Sequence, residues 1–354
     1  MEKFKRIGVL TSGGDAPGMN AAVRAVVRSA NANGVEVMGI YRGYSGLIEG
    51  DIKPLLFRDV SNIINKGGTM LYSDRCPEFK TEEGMLQAVE TCRRLGIDGI
   101  VAIGGDGTFR GATELTAHGV PCIGIPGTID NDITSTDNTI GFDTAMNTVI
   151  ELVDKLRDTC ESHLRCNVVE VMGRGAGDIA LNTAIASGAS AVVIPEIPCN
   201  PEDICKRIES SKKLGKRNFI VLVSEGVGSE FAPELANKIE KKTGVETKFA
   251  KFAHIVRGGN PTLKDRVMAS RMGVHAVEEL LRGKSNLVVC ERRGEIVSRD
   301  INYALKLDKM YKGTLAEGDL DGLSDETLAK MKSDIERKRA NIKALYDVAG
   351  KINL

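Results

Sequence analysis

The chain has 354 residues, 42% of them hydrophobic, and its 48 basic and 48 acidic side chains cancel. That length can bury a substantial core, as one large or two smaller domains, without disulfide staples. The charge balance excludes a general polyanion-binding surface, so no nucleic-acid partner is expected and any anion site must be local, for example near Arg24 and Arg28. Met1 to Arg6 passes directly into a strand-like segment, and no apolar stretch suits a signal or a membrane span. A cytoplasmic protein without membrane association is expected. The eight cysteines form no C-x-x-C pair, and Cys122 and Cys290 sit inside apolar runs, which fits reduced structural thiols.

In chain order, short apolar runs at 7–11, 35–40, 99–103, 122–125, 168–172, 191–194, 219–223 and 287–290 read as strands buried on both faces. Between them, 21–32, 82–95, 144–160, 201–214, 232–242 and 264–281 carry apolar residues at helical spacing. The alternation predicts an α/β protein with mainly parallel sheets. No Ser- or Pro-rich linker marks a domain boundary. Near the end, Leu328, Met331, Ile335, Ile342 and Leu345 recur at helical spacing, with Ser324, Asp325 and Glu326 as the start and Gly350 as the stop. This stripe reads as a packing or subunit-contact surface.

Three turns follow predicted strands directly, at 11–15, 104–108 and 126–132, and in parallel sheets ligands collect beyond the carboxyl ends of strands. The three are therefore expected to converge on one cleft. The first, Thr11-Ser12-Gly13-Gly14-Asp15, is neither a Walker loop nor a G-x-G-x-x-G, yet its amides and the following helix start suit an anion. A plain tight turn, with Pro17 near the helix start, is the other reading. In Gly104-Gly105-Asp106-Gly107-Thr108 the small residues clear room for a polyphosphate and Asp106 can reach its Mg²⁺, although a buried structural Asp-Gly turn would also explain the glycines.

Pro126-Gly127-Thr128-Ile129-Asp130-Asn131-Asp132 places a hydroxyl and two carboxylates on one short turn. A hydroxyl nucleophile needs a proton acceptor, and two acids can divide base and metal duties, with Asp130 as the candidate base. Turn capping by either aspartate is the alternative. For a sugar phosphate, Arg165, Met172-Gly173-Arg174 and the run from His254 through Arg257 to Gly259 offer guanidinium and imidazole donors. His118, His163 and His275 show no metal-ligand spacing with one another or with the cysteines, which argues against zinc.

LTSGGDAPGMNA (10–21), GGDGT (104–108), PGTIDND (126–132), VVEVMGR (168–174) and H-x-x-R-G-G (254–259) occur in one order, and the chain from Arg6 to about Lys312 closely resembles the bacterial-type ATP-dependent 6-phosphofructokinase family. The resemblance implies two Rossmann-like three-layer α/β domains. One would be an ATP-binding domain of 1–140 plus 254–302, the other a fructose 6-phosphate-binding domain of 141–253 plus 303–323, with 324–354 as a helical extension. It implies transfer of the γ-phosphoryl group of Mg-ATP to the 1-hydroxyl of fructose 6-phosphate, in glycolysis, by a homotetramer. Gly14, Arg75, Cys76, Gly105, Asp106, Gly107 and Thr108 match ATP-contacting positions, with Asp106 the Mg²⁺ ligand. Thr128, Asp130, Asp132 and Arg174 match the catalytic group, with Asp130 as the base. Thr128, Ile129, Asp130, Met172, Gly173, Arg174, Glu225, His254 and Arg257 match the sugar-phosphate site, to which Arg165 and Lys248 would reach from a neighbouring subunit.

The resemblance also bears on specificity. Pyrophosphate-dependent relatives typically carry Asp at the position of Gly107 and Lys at that of Gly127, so glycine at both implies ATP as donor. Lys248 replaces a usual arginine and loses its fork geometry, which implies weaker sugar-phosphate affinity. Cys76 replaces an aromatic near the adenine, which implies tolerance of other nucleoside triphosphates. Arg24, Arg28, Arg157 and Lys216 match effector-site positions, whereas Phe57 and Leu214 stand where basic residues are usual, so control by ADP or phosphoenolpyruvate is not carried over. The competing readings are a pyrophosphate-dependent enzyme, an NAD- or lipid-kinase-type enzyme with a GGDGT turn, and a catalytically silent sugar-phosphate or nucleotide sensor.

Overall fold

The computed structural model describes residues 4–352; residues 1–3 and 353–354, at the ends of the first predicted domain and of the extension, lie outside the described residues. The strands are β1 (Arg6–Ser12), β2 (Glu36–Ile40), β3 (Ile52–Pro54), β4 (Gly99–Gly104), β5 (Cys122–Pro126), β6 (Arg165–Val171), β7 (Ala191–Val193), β8 (Phe219–Ser224), β9 (Glu246–Phe252), β10 (Leu287–Arg292) and β11 (Glu295–Asp300). The helices are α1 (Met19–Ala32), α2 (Tyr44–Glu49), α3 (Glu82–Leu95), α4 (Asp106–Ala117), α5 (Phe142–His163), α6 (Asp178–Ser187), α7 (Pro201–Lys213), α8 (Phe231–Thr243), α9 (Leu263–Leu281), α10 (Ile301–Lys312) and α11 (Asp325–Ile352).

Two compact units emerge. Unit 1 comprises Met1–Ile129, Ile133–Thr144 and Arg257–Met331, and unit 2 comprises Asp130–Asp132, Ala145–Val256 and Lys332–Leu354. Unit 1 holds a seven-stranded sheet in the order β11-β10-β5-β4-β1-β2-β3, parallel except for the antiparallel edge strands β11 and β3. Every residue of β4 and β5 is buried, as expected for inner strands covered on both faces. Helix starts carry their signals: Thr81 accepts the Gly84 N–H at the start of α3, and Thr262 accepts the Asp265 N–H at the start of α9. Unit 2 holds a parallel four-stranded sheet in the order β7-β8-β6-β9, over a core that includes Val168, Val221, Ile208 and Leu235.

The architecture is the α/β one predicted, with three differences. The domain bounds shift: 130–132 and 254–256, placed above with the first domain, belong to unit 2, while 141–144 and 303–323, placed with the second, belong to unit 1, where α10 is capped by Asp300 at the end of β11 and buries Ile301 and Ala304 in the core. The tail helix runs to Ile352 through Gly350, which therefore does not stop it. Several elements gave no sequence signal: β9 is a charged edge strand with Lys248, Phe249 and Lys251 exposed, and α6 scatters Asp178, Asn182, Thr183 and Ser187 among apolar residues without forming one polar face. All eight cysteines are free, with only Cys76 and Cys199 partly exposed.

Candidate functional site

In unit 1, β1, β4 and β5 are parallel neighbours, so the turns leaving their carboxyl ends lie side by side. Thr108 Oγ1 donates to the Ser12 carbonyl at 3.1 Å and Gly127 N to the Gly104 carbonyl at 3.0 Å. Ile140 N holds the Pro126 carbonyl at 2.9 Å, and Thr139 Oγ1 holds that of Thr128 at 2.6 Å. Asp106 opens α4 after Gly105, where free N–H groups and the helix dipole favour an anion. Its carboxylate lies 2.6 Å from Arg110 one turn on. Gly105 and Gly107 have nothing within 4 Å of where a Cβ would stand, which leaves the approach to this turn open. Arg75 is exposed beside it in sequence, and Cys76 packs partly buried against the core.

Arg257, matched by resemblance to the sugar-phosphate site, lies on the first turn in this structure. Its Nη1 donates to the Asp15 carbonyl at 3.2 Å, and a Cβ at Gly14 would come within 2.7 Å of that nitrogen. Thr128 and Ile129 are buried in the third turn, and the unit boundary falls directly after Ile129.

In unit 2, Asp130, Asn131 and Asp132 are all buried. Asn131, between the two carboxylates in the chain, takes a left-handed conformation at φ 52°, and its Nδ2 donates to Asp178 Oδ1 at 3.2 Å. Lys338 Nζ donates to the Asn131 carbonyl at 3.1 Å. Asp132 Oδ2 lies 3.7 Å from Arg174 Nη1, which is otherwise largely exposed. Arg174 is also left-handed, at φ 55°, and the Gly173 and Arg174 N–H groups donate to Glu225 Oε1 at 3.2 and 2.7 Å. Glu225 thus holds the turn that presents Arg174.

Arg165 and Lys248 share one counter-ion, with Arg165 Nε 2.7 Å from Glu246 Oε2 and Lys248 Nζ 3.0 Å from Oε1. The hydrogen bond from Arg165, then that from Lys248, brings the Glu246 carboxyl down to about 2. His254 is exposed and Met172 partly buried. Sequence reasoning missed Asp178, which follows the Gly-rich stretch 173–177, and Glu196, Glu246 and Lys338, which lie outside any Gly-rich turn.

At the positions matched to effector contacts, the Arg28 guanidinium stacks over the Phe57 ring at 4.2 Å, and burial followed by Arg28 lowers the Arg24 pKa. In unit 2 burial, then Arg157 and Arg207, lower that of Lys216, while Leu214 is exposed. No group of three or more His, Cys, Asp or Glu side chains among the described residues could hold a metal alone.

Glycine turns at the carboxyl edge of a parallel sheet, and two buried carboxylates with an arginine on one of them, define an α/β protein built to handle phosphate. A family model described as "Phosphofructokinase" matches residues 6–280. The chain is 54% identical to the ATP-dependent 6-phosphofructokinase of Bacillus subtilis (strain 168) over 298 residues, 84% of this chain and 93% of that protein. It is 53% identical to that of Clostridium botulinum (strain Loch Maree / Type A3) over 308 residues, 87% and 96% of the two chains. The structure of phosphofructokinase from Saccharomyces cerevisiae superposes with a TM-score of 0.86 at 30% identity, over 99% of this chain; this chain spans half of the yeast one. A pyrophosphate-dependent phosphofructokinase from Marinobacter aquaeolei, at 22% identity and a TM-score of 0.76 over 94% and 92% of the chains, shares the fold. The chain belongs to the phosphofructokinase family.

Proposed function

We propose that the chain is an ATP-dependent 6-phosphofructokinase, transferring the γ-phosphoryl group of Mg-ATP to the 1-hydroxyl of fructose 6-phosphate to give fructose 1,6-bisphosphate and ADP. The observation that carries this reading is the turn Asp130-Asn131-Asp132, two buried carboxylates of which Asp132 meets Arg174 at 3.7 Å. Asp130 takes the proton of the sugar hydroxyl, Thr128 positions the transferred group, and Arg174 with Asp132 sets the local charge. A loose phosphoryl-transfer transition state asks for positioning and charge neutralisation more than covalent help.

Gly14, Arg75, Cys76, Gly105, Gly107 and Thr108 form the nucleotide side, supported by the open approach to the second turn. Asp106 would hold Mg²⁺. One carboxylate suits this ion, which commonly binds through one or two carboxylates plus substrate phosphates and waters. Bound there, Mg²⁺ would neutralise phosphate charge. Met172, Gly173, Arg174, Glu225 and His254 receive the sugar phosphate. Glu225 acts through the Gly173–Arg174 turn, and Arg257, whose Nη1 donates to the Asp15 carbonyl, is a further donor for the same group.

We assign the chain to a homotetramer in which Arg165 and Lys248 serve a neighbouring subunit's site; the exposed edge strand β9, with Phe249 at 41% exposure, supports such a contact. A cytoplasmic location goes with this reading, and no described helix is long and apolar enough to cross a membrane.

The deciding experiment is a coupled assay with fructose 6-phosphate and either ATP or pyrophosphate at equal concentration. Faster turnover with ATP is expected; faster turnover with pyrophosphate would establish the other donor, which the shared fold alone leaves open. In the same assay Asp130→Ser is expected to lower kcat about 10²-fold or more while ATP still binds. An unchanged kcat removes Asp130 as the base.

A further inference from the structure

The geometry points to Lys338, on the C-terminal helix outside the residues matched by the family model, as a positioning residue for the turn that carries Asp130 and Asp132. This rests on the reading of Asp130 as the base.

Lys338 Nζ donates to the carbonyl of Asn131, the residue between the two carboxylates. Asn131 is held at the same time through its side chain, by Asp178 Oδ1 at 3.2 Å, in a left-handed conformation that costs a non-glycine residue free energy. Such a conformation persists only where its surroundings over-determine it, and Lys338 and Asp178 supply two of the constraints. A change at Asn131 would re-aim the carboxylates on either side of it.

The lysine is placed rather than free to wander. Ile335 and Ile342, three residues before and four after it on the same helical face, are both buried and fix α11 on either side. Its charge also has a purpose there. Asp178 Oδ2 and Glu196 Oε2 are buried without a hydrogen-bond partner among the described residues, while Glu196 Oε1 accepts the Gly177 N–H at 2.9 Å. Burial raises the Glu196 pKa, as does Asp178 beside it, and Lys338 opposes that rise. One ammonium group therefore opposes the charge-disfavouring burial of Glu196 and fixes the carbonyl between Asp130 and Asp132.

The test compares Lys338→Met and Lys338→Arg with wild type, using Lys343→Met as a control, since Lys343 lies on the same helix and pairs with nearby Asp347. Three readouts are taken on the full chain: steady-state kinetics with fructose 6-phosphate and Mg-ATP, thermal unfolding, and amide hydrogen exchange. Lys338→Met is expected to lower kcat about tenfold or more with the KM for ATP changed less than about twofold, the cost of misplacing a catalytic group rather than of losing a binding contact. Exchange should quicken at 129–133 while the rest of unit 2 stays protected. Lys338→Arg should recover most of kcat, and Lys343→Met should match wild type. If Lys338→Met does not fold, Lys338→Gln takes its place. Unchanged exchange at 129–133, or faster exchange spread across unit 2 with a parallel fall in melting temperature, overturns the positioning role. Wild-type protein inactive with both donors would refute the proposed function, whereas the exchange comparison would still decide the role of Lys338.

Discussion

Gly107 and Gly127 are the two residues through which the resemblance argues donor choice, and their surroundings differ. A Cβ at Gly107 would meet nothing within 4 Å, whereas one at Gly127 would stand 3.1 Å from both Met19 Cε and Ile103 Cγ2. Gly107→Asp is therefore expected to fold with an unchanged melting temperature, and to lose ATP turnover at least tenfold as its carboxylate repels the polyphosphate. Gly127→Lys forces the Met19 and Ile103 side chains aside and should cost about 1–3 kcal/mol of stability, the usual range for overpacking. Thermal unfolding and two-donor kinetics on both variants check this; a destabilised Gly107→Asp beside an unaffected Gly127→Lys would contradict it. The candidate functional residues legible in the sequence share this local character: Asp106 and Asp130 stood out because glycine, hydroxyl and acid lay together on one turn. Lys338 did not, because its partner lies 207 residues away in the chain and only the fold brings them together.

At the scale of elements, the edge pair β6 and β9 concentrates charge. Arg165 and Glu246 are register partners across it, and Lys248 sits two residues along β9. Both cations that the proposed function sends to a sugar phosphate are thus held by one carboxylate. Glu246→Gln should release them and lower the KM for fructose 6-phosphate about two- to fivefold, a modest effect in keeping with solvent-exposed pairs. A raised KM would show instead that Glu246 orients them. The carboxyl is depressed from its ordinary 4.5 to about 2, so its stabilising contribution is complete above 4.5 and is lost as pH falls through about 2. NMR titration of the Glu246 carboxyl should show that low midpoint and its return toward 4.5 in Arg165→Gln. This pair also marks where sequence reading of elements stopped. Strands such as β4 and β5, buried on both faces, announce themselves as apolar runs, but β9 borders β6 on one side only and carries Lys248, Phe249 and Lys251, so it shows no such run.

For the whole molecule, the open question of the sequence was what the tail does. Met331, Ile335 and Ile342 are buried within this chain, and Leu328 and Leu345 partly so, which leaves little of that stripe to join subunits. A chain ending at Leu323 should therefore sediment in the same assembly state as the full chain. It should also be less stable, since three large apolar side chains each worth roughly 1.5–3 kcal/mol on burial lose their place, for a total on the order of 5 kcal/mol. Residual activity measured well below its melting temperature then separates two effects. If α11 only adds stability, the shortened enzyme turns over like wild type once folded; if Lys338 fixes the Asn131 carbonyl, its kcat falls at least as far as that of Lys338→Met. Retained assembly with lost kcat is the expected combination, because a helix that covers its own chain and holds the Asn131 carbonyl acts on the proposed site without acting on assembly.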